Sequence, residues 1–244
     1  SIVRGMGYEW VIVSGIACQG KWPMDYAPIF KLSSGVMKAF FRDDIISNMI
    51  SFKNFDAMRF VSRIKELANG KEEAYIVTAM DAETFGHHIH GWENIFLGKV
   101  YEIIKDSDEV KAVGISDLLK IFPAVKTKPP KPSSWSTTNE EIIAGNYYPL
   151  WNTPHNSIHR LQWEHMNICL EILQEAEDKN DNDKSQLFFN TARKTLDMAL
   201  HSCQFWWANK ARIWNENLIN KGLILQEEAM FNAYLSVASS GCKD

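Results

Sequence analysis

The chain reads as an α/β fold, strands alternating with helices, that passes into a helical second half. Short apolar runs at residues 10–13, 36–41 and 75–80 are separated by amphipathic stretches, the pattern of parallel strands joined by helices. A proline cluster, Pro129, Pro130 and Pro132, then breaks regular structure, because proline lacks a backbone donor and restricts the residue before it. Beyond it the apolar residues recur at helical intervals. The sequence thus predicts two domains, residues 1–130 carrying the sheet and residues 131–244 carrying the helices.

Each element has its own signal. A helical stub over residues 2–7 leads into Trp10, Val11, Ile12 and Val13, a buried strand. Residues 36–41 form the second strand. Phe60, Val61, Ile64 and Leu67 fall at helical spacing, and Asn69 with Gly70 ends that helix because both tolerate a left-handed backbone. Residues 75–80 then complete a β-α-β unit. A further helix is predicted over residues 92–104, and a shorter strand or helix pair over residues 110–121. In the second half Trp163, Met166, Leu170 and Leu173 trace the core face of one helix, and Phe188, Ala192, Leu196 and Ala199 that of a second. Residues 175–185 are their polar linker. A third helical region spans residues 205–234, with Trp163 and Trp214 expected in the core.

At 244 residues and 45% hydrophobic content the chain can bury a substantial core. The net charge of -4, without a block of like charges, lacks the basic footprint that nucleic acid or an anionic membrane requires. No nucleic acid and no membrane is therefore expected as a partner. Cys18, Cys169, Cys203 and Cys242 have neither zinc-ribbon nor disulfide-framework spacing, so reduced thiols in a cytoplasm are expected. No run of 18 apolar residues and no signal-peptide pattern is present.

The chemistry concentrates where the run at residues 75–80 enters Asp81, Glu83, His87, His88 and His90. In parallel α/β architectures the carboxyl ends of strands open onto the active-site face. Alternation along an extended segment places Asp81 and Glu83 on one side, and neighbouring carboxylates raise one another's pKa, so that one of them can stay protonated to serve as a general acid. A plainer role is a cap on the following turn for Asp81 and loop orientation for Glu83. His87 and His88 serve equally well as satisfied structural residues or as substrate contacts. A metal site is a further reading, but the spacing matches no metal motif, and neither metal nor cofactor is assigned. Arg42 and Asp43 follow another strand and either orient the acid, bind a hydroxyl or form a surface ion pair.

Residues 81–88, Asp-Ala-Glu-Thr-Phe-Gly-His-His, resemble a segment of glycoside hydrolase family 57 in which the Asp is the general acid/base. Residues 7–13, Gly-Tyr-Glu-Trp-Val-Ile-Val, are similar to the family's strand after the nucleophile region. Phe40, Phe41, Arg42 and Asp43, with Ile46 and Ser47, resemble another of its segments. Ser133 to Ser136, with Trp151 and Asn156 to His159, look like the loop after the barrel, and residues 201–207 like the last conserved segment. These stretches cover nearly the whole chain in order. The departure is at Ser202, Cys203 and Gln204, where an acidic Ser-Asp pair is common in the family, which puts a substrate contact there in doubt.

The resemblance implies part of a seven-stranded (β/α) barrel followed by a C-terminal helical bundle. It implies a retaining double displacement on α-glucans, hydrolysis or glucan transfer, with Asp81 as acid/base. The family's nucleophilic Glu lies before the segment matched by residues 2–7, so the expectation is that this chain begins after it and is inactive alone. A partner chain that supplies the missing barrel strands is then expected. Sugar rings stack on aromatic faces. Of the nine tryptophans, Trp135 and Trp207 are the first candidates for sugar stacking, ahead of Trp22, Trp92, Trp151 and Trp206. Glu83, His87, His88 and Arg42 are the candidate polar contacts. The competing functions are a metal-dependent polysaccharide deacetylase, whose Asp and His would hold an ion that activates water, and a glycan-binding or scaffold protein without catalysis.

Overall fold

The structure, a computed structural model, describes residues 2–18, 25–32, 37–126 and 129–241. Trp22, Val36 and Cys242 lie outside the described residues. The chain divides into two compact units, Ser1–Trp135 and Ser136–Asp244.

The first unit is built on a four-stranded sheet of β1 (Trp10–Val13), β2 (Ile29–Lys31), β3 (Lys38–Phe41) and β4 (Ala124–Lys126), in the order β1-β3-β2-β4. The helical stub α1 (Ile2–Gly5) precedes it. β1 runs parallel to β3 with Trp10 opposite Lys38 and Val13 opposite Phe41. β3 is an interior strand, paired on both edges. Phe40 packs on one face with Ile29, Tyr75, Val77 and Leu118, while Phe41 packs on the other with Ala17 and Tyr26. A strand buried on both faces reads as a continuous apolar run, which is why this one was legible. The sheet departs from the all-parallel expectation at β2, which is antiparallel to β3. The Leu32 amide donates to the Met37 carbonyl at 3.0 Å, a hairpin closure too short for the crossover that parallel strands need.

Helices α2 (Asp44–Ser51) and α3 (Ala57–Ala68) follow, each started by an aspartate whose side chain caps a backbone N–H: Asp43 accepts from Ile46 and Asp56 from Arg59. α3 fills the range its periodicity predicts, and Gly70 takes the left-handed conformation just beyond it (φ +79°). The expected helix over residues 92–104 begins as a π-helix, Glu93–Gly98, and continues as α4 (Lys99–Ile104). Ile46, Phe55, Phe60, Trp92 and Phe96 form the core of this side. Within residues 110–121 the regular element is α5 (Ile115–Ile121).

Residues 75–80 form no ladder strand. They are extended and meet β3 through a single parallel bridge, Arg42 with Val77. The reason lies in their hydrogen bonds. Tyr75 N–H donates to the Tyr26 carbonyl, and the Val77 carbonyl accepts from Asp43 N–H, both at 2.8 Å, but Ala79 N–H donates to the Ser47 hydroxyl. A side chain thus replaces the next rung.

The second unit is helical: α6 (Asn139–Ile143), α7 (Ser157–Asp178), α8 (Asp183–Ala199), α9 (Cys203–Trp206) and α10 (Glu216–Ser239), with a short hairpin of β5 (Ala208–Asn209) and β6 (Ile213–Trp214). The predicted linker shrinks to four residues, 179–182, because α7 runs on to Asp178 and α8 starts at Asp183 under an Asn182 capping box. The buried stripe of α7 is His159, Gln162, Met166, Cys169, Leu173 and Ala176. Trp163 and Leu170 therefore lie beside the core face, at 38% and 41% exposure. Trp214 is in β6 and 44% exposed, with the Lys210 ammonium over its ring, so it is not a core residue.

The contact face of α10 is made of Gly222, Gln226, Ala229, Ala233 and Ser236, all buried. A Cβ at Gly222 would stand 2.3 Å from the Gln204 side-chain oxygen. Gly222→Ala is expected to destabilise this unit by about 1–3 kcal/mol, as overpacking does, measured by urea unfolding followed by helical circular dichroism.

Candidate functional site

Asp81 stands where the extended segment ends and a turn of 3-10 helix, Ala82–Thr84, begins. It occupies the N-cap position (φ -61°, ψ 134°), but its side chain makes no capping hydrogen bond. Its carboxylate is exposed and has no hydrogen-bond partner among the described residues. The capping role weighed from the sequence is thus unfilled. Because residues 82–84 are helical rather than extended, the alternation expected to set Asp81 and Glu83 side by side does not operate.

The loop is held by its own backbone and by the apolar residues beneath it. The Asp81 carbonyl accepts from Thr84 N–H, and the Glu83 carbonyl accepts from His87 N–H (3.2 Å) and His88 N–H (2.8 Å). Thr84 is buried. Met80, Phe85 and Ile89 pack against the cluster that contains Trp92 and Phe96. Gly86 has φ +110°, a backbone that side chains rarely adopt, and a Cβ there would come within 3.3 Å of the Glu93 carboxylate. The Phe-Gly pair of the motif is thus an anchor followed by an obligatory turn.

Polar side chains gather at the rim. His88 Nε2 lies 3.7 Å from the Glu83 carboxylate, both side chains more than half exposed. The His87 and His88 rings tilt toward each other with centroids 5.1 Å apart. Arg42 works from below. Its side chain is 12% exposed, and it donates to the Ala79 carbonyl (2.5 Å), to Asp44 (2.6 Å) and to Asn48 (2.9 Å). All three guanidinium nitrogens are therefore engaged within the unit, and one of them fixes the chain two residues before Asp81. Asp43 is buried, accepting from the Tyr26 hydroxyl at 2.6 Å, and burial beside this carboxylate pushes the Tyr26 phenol well above its usual range. Both are framework groups. A cavity of about 330 Å³ lined by Tyr26, Asp43, Ile46, Met49, Phe55 and Arg63 does not include Asp81. Among the described residues no three His, Cys, Asp or Glu side chains group as a metal site.

Trp135, 61% exposed, ends the first unit. In the second unit Trp207 is half-buried and stacks on Trp206 with centroids 4.5 Å apart and planes at 23°. Beside this pair Trp163 stacks on Phe205 at 4.5 Å, and the Trp163 indole N–H donates to the Trp151 carbonyl. The backbone that carries the pair is gripped by α7. Asn156 Nδ2 donates to the Ala208 carbonyl (2.8 Å), His159 Nε2 to Phe205 (2.8 Å) and Gln162 Nε2 to Gln204 (2.9 Å). Gln204 in turn accepts from Gln226, whose own oxygen accepts from His165. Gln162 and Gln226 escaped the sequence reading, since a buried glutamine carries no signal that separates it from a surface one.

His159 is buried between two backbone partners. Nε2 faces a carbonyl and must donate, while Nδ1 accepts from Thr153 N–H at 3.4 Å. Both contacts suit the neutral ring, and burial lowers its pKa below the ordinary histidine value, an effect partly offset by the Phe205 carbonyl. His201 is lowered too, by burial and then by the Lys221 charge.

An unpartnered carboxylate at the end of this segment, on a loop that also carries Glu83, His87 and His88, is a candidate for acid/base chemistry. The comparisons name the class. The profile of Glycosyl hydrolase family 57 matches residues 1–131, and the chain belongs to that family. Its fold is similar to the crystal structure of an α-amylase from Thermotoga maritima (TM-score 0.66, 16% identity), covering 97% of this chain and 56% of that one. It is also similar to a family 57 branching enzyme from the hyperthermophilic archaeon Pyrococcus horikoshii (TM-score 0.65, 14% identity), covering 95% of this chain and 49% of that one. The chain thus spans about half the length of these structures. No curated protein matches it. None of the helices among the described residues is long and apolar enough to cross a membrane.

A lowered histidine pKa makes the unfolded state bind more protons than the folded one near the ordinary value of about 6.5. The stabilisation by neutral His159 and His201 is therefore full above that value and is lost as pH falls through the folded pKa. Urea unfolding of the helical unit is expected to show lower stability at pH 5 than at pH 7.5, and His159→Gln to flatten that slope.

Proposed function

We propose that this chain carries the acid/base aspartate of an enzyme that hydrolyses or transfers α-glucosyl units, and that Asp81 is that residue. The observation that carries the reading is the Asp81 carboxylate itself: exposed, at a cap position yet not capping, at the exit of the segment that Arg42 and Ser47 hold. Family membership supports the class of chemistry. The names of the two similar structures, an α-amylase and a branching enzyme, support α-glucan as substrate. Whether water or a sugar hydroxyl is the acceptor separates the two activities.

In the retaining mechanism a second carboxylate attacks the anomeric carbon while Asp81 donates its proton to the departing glycosidic oxygen. Asp81, now ionised, next takes a proton from the incoming water or sugar hydroxyl, which displaces the enzyme carboxylate and restores both groups. The two carboxyl groups must lie about 5–5.5 Å apart. This reading assigns the nucleophile to none of the described residues. We place the first unit in a (β/α) barrel whose remaining strands lie outside these residues, in the same protein or in a partner chain. In this reading Glu83, His87 and His88 are polar contacts for sugar hydroxyls, Trp135 of the first unit and Trp207 of the second each offer an aromatic face to a sugar ring, and Arg42 holds the backbone before the acid. The thiols of Cys18, Cys169 and Cys203 are free, which fits a reducing cytoplasm.

In enzyme that turns over α-glucan, Asp81→Asn is expected to lower turnover by about 10²- to 10⁴-fold with the circular dichroism spectrum unchanged. Wild-type turnover in that variant would discard the assignment. Activity is also expected to persist in a strong chelator, and its loss there would favour the deacetylase reading, for which the described residues offer no ready metal cage.

A further inference from the structure

The buried stripe of α7 follows the 3-4-3-4-3 rhythm of a packing face from His159 to Ala176, yet its first two members are polar. They and the N-cap Asn156 sit at i, i+3 and i+6, so they project from one side of the helix. Each spends a side-chain donor on a carbonyl of the short stretch formed by α9 and the start of β5: Asn156 on Ala208, His159 on Phe205 and Gln162 on Gln204. The same stretch is held from its far side, where Gln226 Nε2 donates to the Gln204 oxygen at 2.8 Å and Gln204 Nε2 donates to the Ala199 carbonyl at 2.7 Å.

Holding a four-residue helix and a two-residue strand does not by itself require this many buried donors, because buried polar groups are costly when imperfectly paired. Gln162 in fact leaves its Oε1 without a partner among the described residues. Apolar residues at these positions would pack the bundle at least as well, but they could not fix the path of the backbone. What that path carries is the stacked pair Trp206 and Trp207, half-exposed beside the stretch that is held.

We infer that Asn156, His159 and Gln162 are positioning residues, a row of donors on α7 that fixes the Trp206–Trp207 pair in the geometry in which Trp207 accepts a sugar ring. The inference rests on the proposed reading of Trp207 as a sugar contact. It adds residues that touch neither sugar nor acid and act through the Ala208, Phe205 and Gln204 carbonyls.

The test uses the 244-residue chain, maltoheptaose as the probe, and two readouts: affinity by titration calorimetry and the exciton couplet of the stacked indoles in circular dichroism near 225 nm. Expected are a loss of the couplet and about a fivefold to tenfold weaker affinity for His159→Leu and for Gln162→Met, the scale of one aromatic stacking contact. His159→Gln, which can again offer a donor to the Phe205 carbonyl, is expected to restore both. Gln162→Met is nearly isosteric, so it reports even if His159→Leu fails to fold. Trp207→Ala calibrates the reading beneath. If it weakens binding while His159→Leu and Gln162→Met leave both readouts unchanged, the positioning role is overturned and the sugar contact stands. If wild type binds no maltoheptaose, or Trp207→Ala binds like wild type, the sugar contact falls and the inference with it.

Discussion

The site depends on what happens at the exit of β3. The chain that delivers Asp81 is not secured by a run of sheet hydrogen bonds. It is secured by three residues that follow β3: Asp43 through its backbone N–H to Val77, Arg42 through its guanidinium to the Ala79 carbonyl, and Ser47 through its hydroxyl to the Ala79 N–H. Arg42 can do this because Asp44 and Asn48 occupy its other two nitrogens. A buried guanidinium without such partners would be costly. The acid therefore sits on a short cantilever fixed at both hydrogen-bonding groups of one residue, while its own carboxylate is left unspent. An ordinary strand would have held the backbone equally well, but would have carried the chain further before it could turn.

Much of this was legible in the sequence, and the reasons differ by element. The run at Phe40 announced itself because a strand buried on both faces leaves nothing polar to interrupt it, whereas the equally apolar run at Trp10 forms an edge strand that is only partly buried, with Ile12 exposed, and is not the buried strand expected. α3 was legible because its amphipathic spacing and its terminating Asn69 and Gly70 agree. β2 and β4 were missed, each only three residues long, too short for any periodicity. α2 was missed because Asp43 was read as orienting the acid, binding a hydroxyl or forming an ion pair, and it proves to be the cap. Asp81 shows the reverse, standing at a cap position without using it.

The helical unit shows how a pattern of large apolar residues misplaces a core face. Trp163 and Leu170 looked inward by size, yet the buried stripe runs through His159, Gln162, Cys169 and Ala176. Small residues bury because helices approach closely over them. Polar ones bury here because α9 is only four residues long, so its Gln204 and Phe205 carbonyls are free to accept from them. Hydrophobicity alone cannot register either condition, since both belong to the partner rather than to the residue. The candidate site was legible for a related reason in reverse: Asp81, Glu83, His87 and His88 crowd one loop, so local sequence contains the whole cluster.

The empty space at Gly222 ties two distant parts of the chain together in a way that extends past this molecule. The Gln204 side chain lies where a β-carbon of residue 222 would be, so positions 204 and 222 share one fixed volume between them. Among descendants of this sequence neither can drift freely: enlarging one demands that the other shrink in step, a non-additive pairing between neighbours in contact. A family tree that retains glutamine at the first should keep glycine at the second, and lineages that lose the glycine should be found to have lost the glutamine as well.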